Sequence, residues 1–226
     1  MNLRVNPAMP DRGAPLGRTD YSSAEMLADA AIHLFGLVGA SAVFGYLLAN
    51  VGPLVTASQW TALITYAVAL LGTLTISALY NLSAPGRAKA VLRKLDRAMI
   101  FVMIAGSYTP FAICAISPRV GMPLCAVIWT MAAIGVGICL RLQRLYDRLS
   151  LALYLGMGWM VLAVLPSLAA AVSTSVLLLL LVGGIVYSAG VLVHRRTGVS
   201  FHNAAWHAMV VAAAALHLAA VALILP

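Results

Sequence analysis

Seven apolar stretches, each about 20 residues long, divide this chain so that thirteen of its fourteen Lys and Arg residues fall on one side of them. The stretches run over residues 27–49, 57–80, 98–117, 121–140, 150–172, 174–193 and 204–225. About 20 residues of helix cross a hydrocarbon core about 30 Å thick, so the pattern predicts an all-α membrane protein, a bundle of seven transmembrane helices. The basic residues sit in the N-terminal segment (Arg4, Arg12, Arg18) and in alternate connections. These hold Arg87, Lys89, Arg93, Lys94 and Arg97, then Arg141, Arg144 and Arg148, then Arg195 and Arg196. Only Arg119 lies on the other side. Positively charged loops stay inside, which places the N-terminus in the cytoplasm and the C-terminus outside.

The chain is 63% hydrophobic and 9% charged, against about 25% charged for a soluble domain. A net charge of +8 does not signal nucleic-acid binding here, because the cations are spread over membrane-end loops where they meet anionic headgroups. Membrane lipids are the expected partners. Residues 1–24 are polar, contain Pro7, Pro10 and Pro15, and lack the short apolar core of a signal peptide. They are expected to form a disordered cytoplasmic tail ahead of a transmembrane domain spanning 25–226. Cys114, Cys125 and Cys139 lie inside spans with no metal-knuckle spacing and are expected as buried thiols.

Ionisable side chains within membrane helices are expensive, at about 2.5–3.5 kcal/mol near the centre on insertion scales, so each calls for a reason. With the topology above, they gather at one depth. Glu25, Asp29 and His33 start the first helix at four-residue spacing, Ser77 and Asn81 end the second, Asp96 opens the third, and Asn203 and His207 open the seventh. The four groups predict an inner polar cavity. His202 lies five residues before His207, about 140° around the helix, so the two should not face one ion. His217 reads as a hydrogen-bonded bundle histidine and His194 as a solvent-facing one. Two seven-helix classes drop out. A retinal protein needs a lysine in its last helix, yet both lysines lie between the second and third spans. A G-protein-coupled receptor carries its N-terminus outside.

Several stretches carry a resemblance: "AEMLADAAIHLFG", "SALYNL", "LRKLDRAMIFVMIAGSYTPF", "LYLGMGWMVL", "LVGGIVYSAGVLVH" and "FHNAAWHAMVVAAAALH". In this order they resemble the hemolysin III family, the bacterial branch of the progestin and adipoQ receptor superfamily. The resemblance implies a multi-pass protein of the bacterial inner membrane, with a zinc site near the cytoplasmic face. It implies Ser-x-x-x-His on helix 2, Asp on helix 3 and His-x-x-x-His on helix 7. Ser77, Asp96 and His207 match that pattern, whereas Asn81 and Asn203 stand at two of its His positions. Asp29 stands where the family has Asn, and the following His is kept as His33; Arg97 replaces a family His.

An amide oxygen is a weak zinc ligand. The expectation is therefore a cavity without tightly held zinc, in which Asn81 and Asn203 hydrogen-bond to Ser77, Asp96 and His207. A rearranged ligand set of Asp29, His33, Asp96 and His207 is the compositional alternative. The leading functional expectation is a lipid-sensing or lipid-binding protein, or one that influences membrane lipid composition. The first alternative is a zinc-dependent lipid amide or ester hydrolase, with Asp96 as ligand-orienting group or base and Ser77 holding the developing oxyanion. The second alternative is a pore-forming cytolysin.

Overall fold

A computed structural model describes residues 21–50, 54–196 and 198–226. The expected tail over 1–24 thus lies largely outside the described residues, as do Arg4, Arg12 and Arg18. Seven helices are long and apolar enough to cross a membrane: α1 (Ser23–Asn50), α2 (Ala57–Leu82), α3 (Arg87–Ala115), α4 (Pro118–Arg141), α5 (Gln143–Ala169), α6 (Thr174–His194) and α7 (His202–Ala222). The chain is a multi-pass membrane protein, and among the described residues it contains no strand. In lipid every backbone N–H and C=O must be paired within the protein, and the helix does this segment by segment.

Helix starts are written in local chemistry. Ser22 and Glu25 form a reciprocal cap: the Ser22 N–H donates to Glu25 Oε2 at 2.8 Å and the Glu25 N–H to Ser22 Oγ at 3.2 Å. Thr56 and Gln59 repeat the device at α2. Ser173 caps α6 by accepting from the Val176 N–H.

The third and fifth helices begin earlier than hydropathy suggests. α3 starts at Arg87 and α5 at Gln143, eleven and seven residues before their apolar stretches. Lys, Arg, Leu and Ala are good helix formers, and long basic side chains carry their charge to the interface while their stems pack. This corrects one expectation. Asp96 does not open α3 but stands in its third turn, and Arg144 and Arg148 lie within α5 rather than in a loop. Arg97 crosses from α3 to α5, with its guanidinium 5.3 Å from the Tyr146 ring centroid and 3.8 Å from Asp147 Oδ1.

In the bundle α1 packs on α2 and α7, α2 on α3, α3 on α4 and α5, α4 on α5, and α6 on α7. The α3 helix is the most enclosed of the seven. Tyr66, Phe101, Leu63, Leu70 and Ile128 fill the middle of the bundle. Leu34, Phe35, Val68 and Leu192 point outward, 64–75% exposed on the protein alone, and form the lipid-facing surface. Lipid tails are as apolar as leucine, so close packing rather than hydrophobic exclusion holds such helices together. Small residues permit that approach. A Cβ on Gly121 would collide with the Ala112 carbonyl, where α4 meets the end of α3.

Two helices are interrupted. After Pro110 the α3 ladder relaxes into a π-turn over Phe111–Ala115, because proline offers no N–H. In α5 the chain tightens into a 3₁₀ segment over Trp159–Val164. The Tyr108 hydroxyl secures that change: it donates toward the Met157 and Gly158 carbonyls at 2.9 and 2.8 Å and accepts from the Val161 N–H at 2.9 Å. Trp159 Nε1 donates to Ser188 Oγ at 3.1 Å and ties α5 to α6.

Candidate functional site

Three helix segments supply most of the polar groups, each through a four-residue step that puts two side chains on one face. On α1 these are Asp29 and His33, both buried; on α2, buried Ser77 and half-buried Asn81; on α7, half-buried Asn203 and buried His207. Half-buried Asp96 joins them from α3, its carboxylate beside the Ser77 hydroxyl. These seven positions therefore meet at one end of the bundle, the end at which α1 begins.

Asp29 is the hub. Its Oδ1 lies 2.5 Å from His207 Nδ1, a contact between helices that neighbour only in space. Its Oδ2 lies 3.6 Å from His33 Nδ1, and its backbone carbonyl accepts from that same nitrogen at 2.8 Å. The His33 and His207 rings meet edge to face with centroids 4.4 Å apart. On its far side His207 Nε2 lies 3.4 Å from Ser77 Oγ.

The two asparagines form a separate unit. Asn203 Nδ2 donates to Asn81 Oδ1 at 3.1 Å, and Asn81 Nδ2 donates to the Ser77 carbonyl at 2.9 Å. The expected bond from Asn81 to Ser77 is there; in place of Asp96 and His207, Asn203 takes Asn81 as its partner. A cavity of about 20 Å³, room for about one water, opens beside the cluster between Tyr21, Glu25, Asp29, Asn81, Phe201 and Asn203.

The surrounding histidines follow their helical phase. His202 turns away from His207, its Nδ1 3.0 Å from the Val199 carbonyl and its ring against Tyr21. His217 bonds to the Leu180 carbonyl at 3.3 Å and sits where Gly183 leaves room for its ring. His194 is exposed and stacks on Trp206. The three cysteines are free thiols.

The role of Glu25 goes beyond the face it shares with Asp29 and His33. Glu25 Oε1 accepts from the Phe201 N–H at 2.8 Å, so the acid that caps α1 also fastens the entrance of α7. Phe201 holds a left-handed backbone with φ of 59°, uncommon for a bulky residue and costing of order 1–3 kcal/mol. The Glu25 bond compensates for that strain where α7 is aimed into the site. The spacing of Glu25 from Asp29 marked the shared face but not the remote partner.

The family-type zinc set does not fit. Of its helix 2 and helix 7 ligand positions only His207 offers a nitrogen, and the amides at 81 and 203 already satisfy each other. A different trio does have metal-binding chemistry: Asp29, His33 and His207 are all buried and bring one donor atom each within 4.8 Å of the others.

The sequence profile described as Haemolysin-III related matches residues 25–218. The chain belongs to the haemolysin III-related family. It is 28% identical to Hemolysin-3 of Bacillus cereus over 192 residues, 85% of this chain and 88% of the relative. It is 33% identical to a Hemolysin-3 homolog of Bacillus subtilis strain 168 over 129 residues, 57% of this chain and 61% of the relative, so that match spans less than two thirds of that protein. A human protein, monocyte to macrophage differentiation factor, is 34% identical over 131 residues, 56% of this chain and 52% of its own length. No solved structure matches the chain. This haemolysin III-related chain keeps the scaffold and most polar positions that the motifs led one to expect, and three of its departures, Asp29, Asn81 and Asn203, line one small cavity at the site.

Proposed function

We propose that this haemolysin III-related protein binds lipid at the polar end of its bundle and influences membrane lipid composition from the cytoplasmic face of the bacterial inner membrane. The observation that carries the reading is the gathering of Asp29, His33, Ser77, Asp96 and His207 at a single level of the bundle. Polar groups cluster in membrane helices where function requires them, since each is costly to place there. A groove of about 220 Å³ beside the cluster is edged by Tyr80, Gly86, Lys89 and Arg93. Two cations at a membrane end suit an anionic headgroup. The groove borders Tyr80, and Asn81 follows at the rim of the polar site, so a lipid held by its phosphate would bring its carbonyl region toward the cluster.

The test compares the lipid composition of cells that lack the protein, carry it, or carry Lys89→Ala/Arg93→Ala, together with lipids retained by each purified form. Enrichment of anionic lipid on the wild type and its loss in the double variant are expected. Equal retention by both forms, with unchanged cellular lipids, overturns the reading.

A second reading, zinc-dependent lipid amide or ester hydrolysis, draws support from the Asp29, His33 and His207 donor trio. A bound metal would supply Lewis-acid polarisation and a more acidic water. In that reading Asp96 takes or returns a proton beside Ser77, and Ser77 donates to the developing oxyanion. A pore has no such support, because Tyr66, Phe101 and Ile128 fill the bundle beyond the polar end.

A further inference from the structure

We propose that Asp29, His33 and His207 form a divalent transition-metal site built by α1 and α7, with Asn81 and Asn203 standing outside the coordination shell. It stands independently of the lipid reading.

Two imidazoles and one carboxylate are a donor set suited to zinc, iron(II) or cobalt(II), and three protein ligands leave a position open for water or a carbonyl oxygen. The outer contacts are already in place. A backbone carbonyl can only accept, so the Asp29 carbonyl fixes the hydrogen of His33 on Nδ1 and leaves the other ring nitrogen with its lone pair. His207 presents Nδ1 toward Asp29 while Nε2 faces the Ser77 hydroxyl. Ligating histidines commonly use one nitrogen for the metal and the other for such a partner.

The close contact is informative. His207 Nδ1 and Asp29 Oδ1 lie 2.5 Å apart, with a proton between them. Ligands on a tetrahedral zinc, with bonds of about 2.0–2.1 Å, stand about 3.3 Å from one another. An ion taking the place of that proton requires the two groups to part by under about 1 Å. Asp96, beside Ser77 and near enough to interact with both Asp29 and His207, adds a further carboxyl group at the same spot, and oxygen donors of this kind suit a divalent ion. The amides at 81 and 203 bond to each other and to the Ser77 carbonyl, so they are free to stay where they are when the trio closes.

The experiment uses the full chain in nanodiscs, stripped with chelator and titrated with Zn(II) or Co(II). Metal content, the visible ligand-field bands of Co(II) and the thermal midpoint are read. About one ion per chain, tetrahedral-type Co(II) bands and a metal-dependent rise in midpoint are expected. Asp29→Asn, which preserves size, and His33→Asn should each weaken binding at least about 10-fold. Asn81→Ala should leave the affinity within about 3-fold, since it removes a contact outside the shell. Folding of each variant is checked by helical circular dichroism and size-exclusion profile, and His33→Gln serves if His33→Asn fails to fold. Absence of Co(II) bands and of a midpoint shift in the folded wild type overturns the proposal. So does loss of binding in Asn81→Ala with retention in His33→Asn, which would place the metal on the amides. Neither outcome touches lipid retention, so failure here and failure of the lipid reading are distinguishable.

Discussion

Replacing Asp29 with alanine isolates what the hub contributes. In chelator, with no metal present, the substitution removes the acceptor 2.5 Å from His207 Nδ1 and the second oxygen 3.6 Å from His33 Nδ1. Both partners stay buried, His33 at 2% and His207 at 7% exposure, so neither donor gains water in compensation. Leaving a buried donor without its acceptor costs about 1–3 kcal/mol, and more where a charged group is involved. The upper figure applies, because two buried imidazoles lose the same carboxylate, although Ser77 remains beside His207 and the Asp29 backbone carbonyl still holds His33. At roughly 2–4 °C per kcal/mol for a chain of this size, about 3 kcal/mol lowers the unfolding midpoint by about 6–12 °C. Asparagine keeps one acceptor oxygen and should cost about half as much. The comparison is Asp147→Ala, which breaks an ion pair to Arg97 whose members are 31% and 58% exposed. Such pairs contribute about 0–1 kcal/mol. Midpoints followed by tryptophan fluorescence in nanodiscs give the ranking. Ordinary interhelical hydrogen bonds in membranes average about 0.6 kcal/mol. An Asp29→Ala cost at or below that value, or one no larger than for Asp147→Ala, refutes the view of Asp29 as a charged hub.

Gly121→Val should destabilise by about 1–3 kcal/mol, because its side chain meets the Ala112 carbonyl, which belongs to backbone and cannot swing aside; the same substitution at Gly137, which faces open space, is the control for thermal scans. Tyr108→Phe strands the carbonyls of Met157 and Gly158 and the Val161 N–H, and a loss of about 1–3 kcal/mol is expected, read as faster hydrogen exchange confined to residues 157–164. Membrane-impermeant thiol labelling of single cysteines in a cysteine-free background should modify a residue placed at Gly86 only from the cytoplasmic side and one placed at Ser173 only from the other; the two sides exchanged would overturn the reading of the positive charges, and both residues labelled from one side would overturn the count of spans between them.

The spans were legible because lipid imposes a length and an apolar composition that a short window of sequence reveals. Their ends were less so. The stretch from Arg87 to Arg97 is basic and therefore reads as loop, although Leu, Ala, Lys and Arg are helix formers and continue α3 by three turns. Asp96 moved from a helix start to a helix interior as a result, which is also what puts it level with Ser77. The face-sharing pairs Asp29 with His33, Ser77 with Asn81 and Asn203 with His207 were visible as four-residue steps, and the five-residue step correctly separated His202 from His207. Partners across helices were not visible. Periodicity gives the face of a helix but neither its rotation against a neighbour nor its depth, and those two quantities decide that Asp29 meets His207 while Asn203 meets Asn81.

That pairing explains three of the four departures from the family-like pattern, those at 29, 81 and 203, as one change. The resemblance places histidines at positions 81 and 203 and an amide at 29; the chain has amides at 81 and 203 and an acid at 29. Amides in place of imidazoles remove two nitrogen donors from the α2 and α7 side of the cluster. They also create a complementary pair, since each offers both an N–H and a C=O, and the pair closes at 3.1 Å. His207 then keeps only Ser77 on that side, at 3.4 Å, and the acid at 29 reaches it from α1 at 2.5 Å. Each substitution alone strands a polar group: half-buried Asn81 without Asn203 lacks its donor, and buried His207 without Asp29 lacks its acceptor. Together they leave both pairs satisfied and shift the donor-rich part of the site from α2 toward α1, where His33 already stands one turn below Asp29.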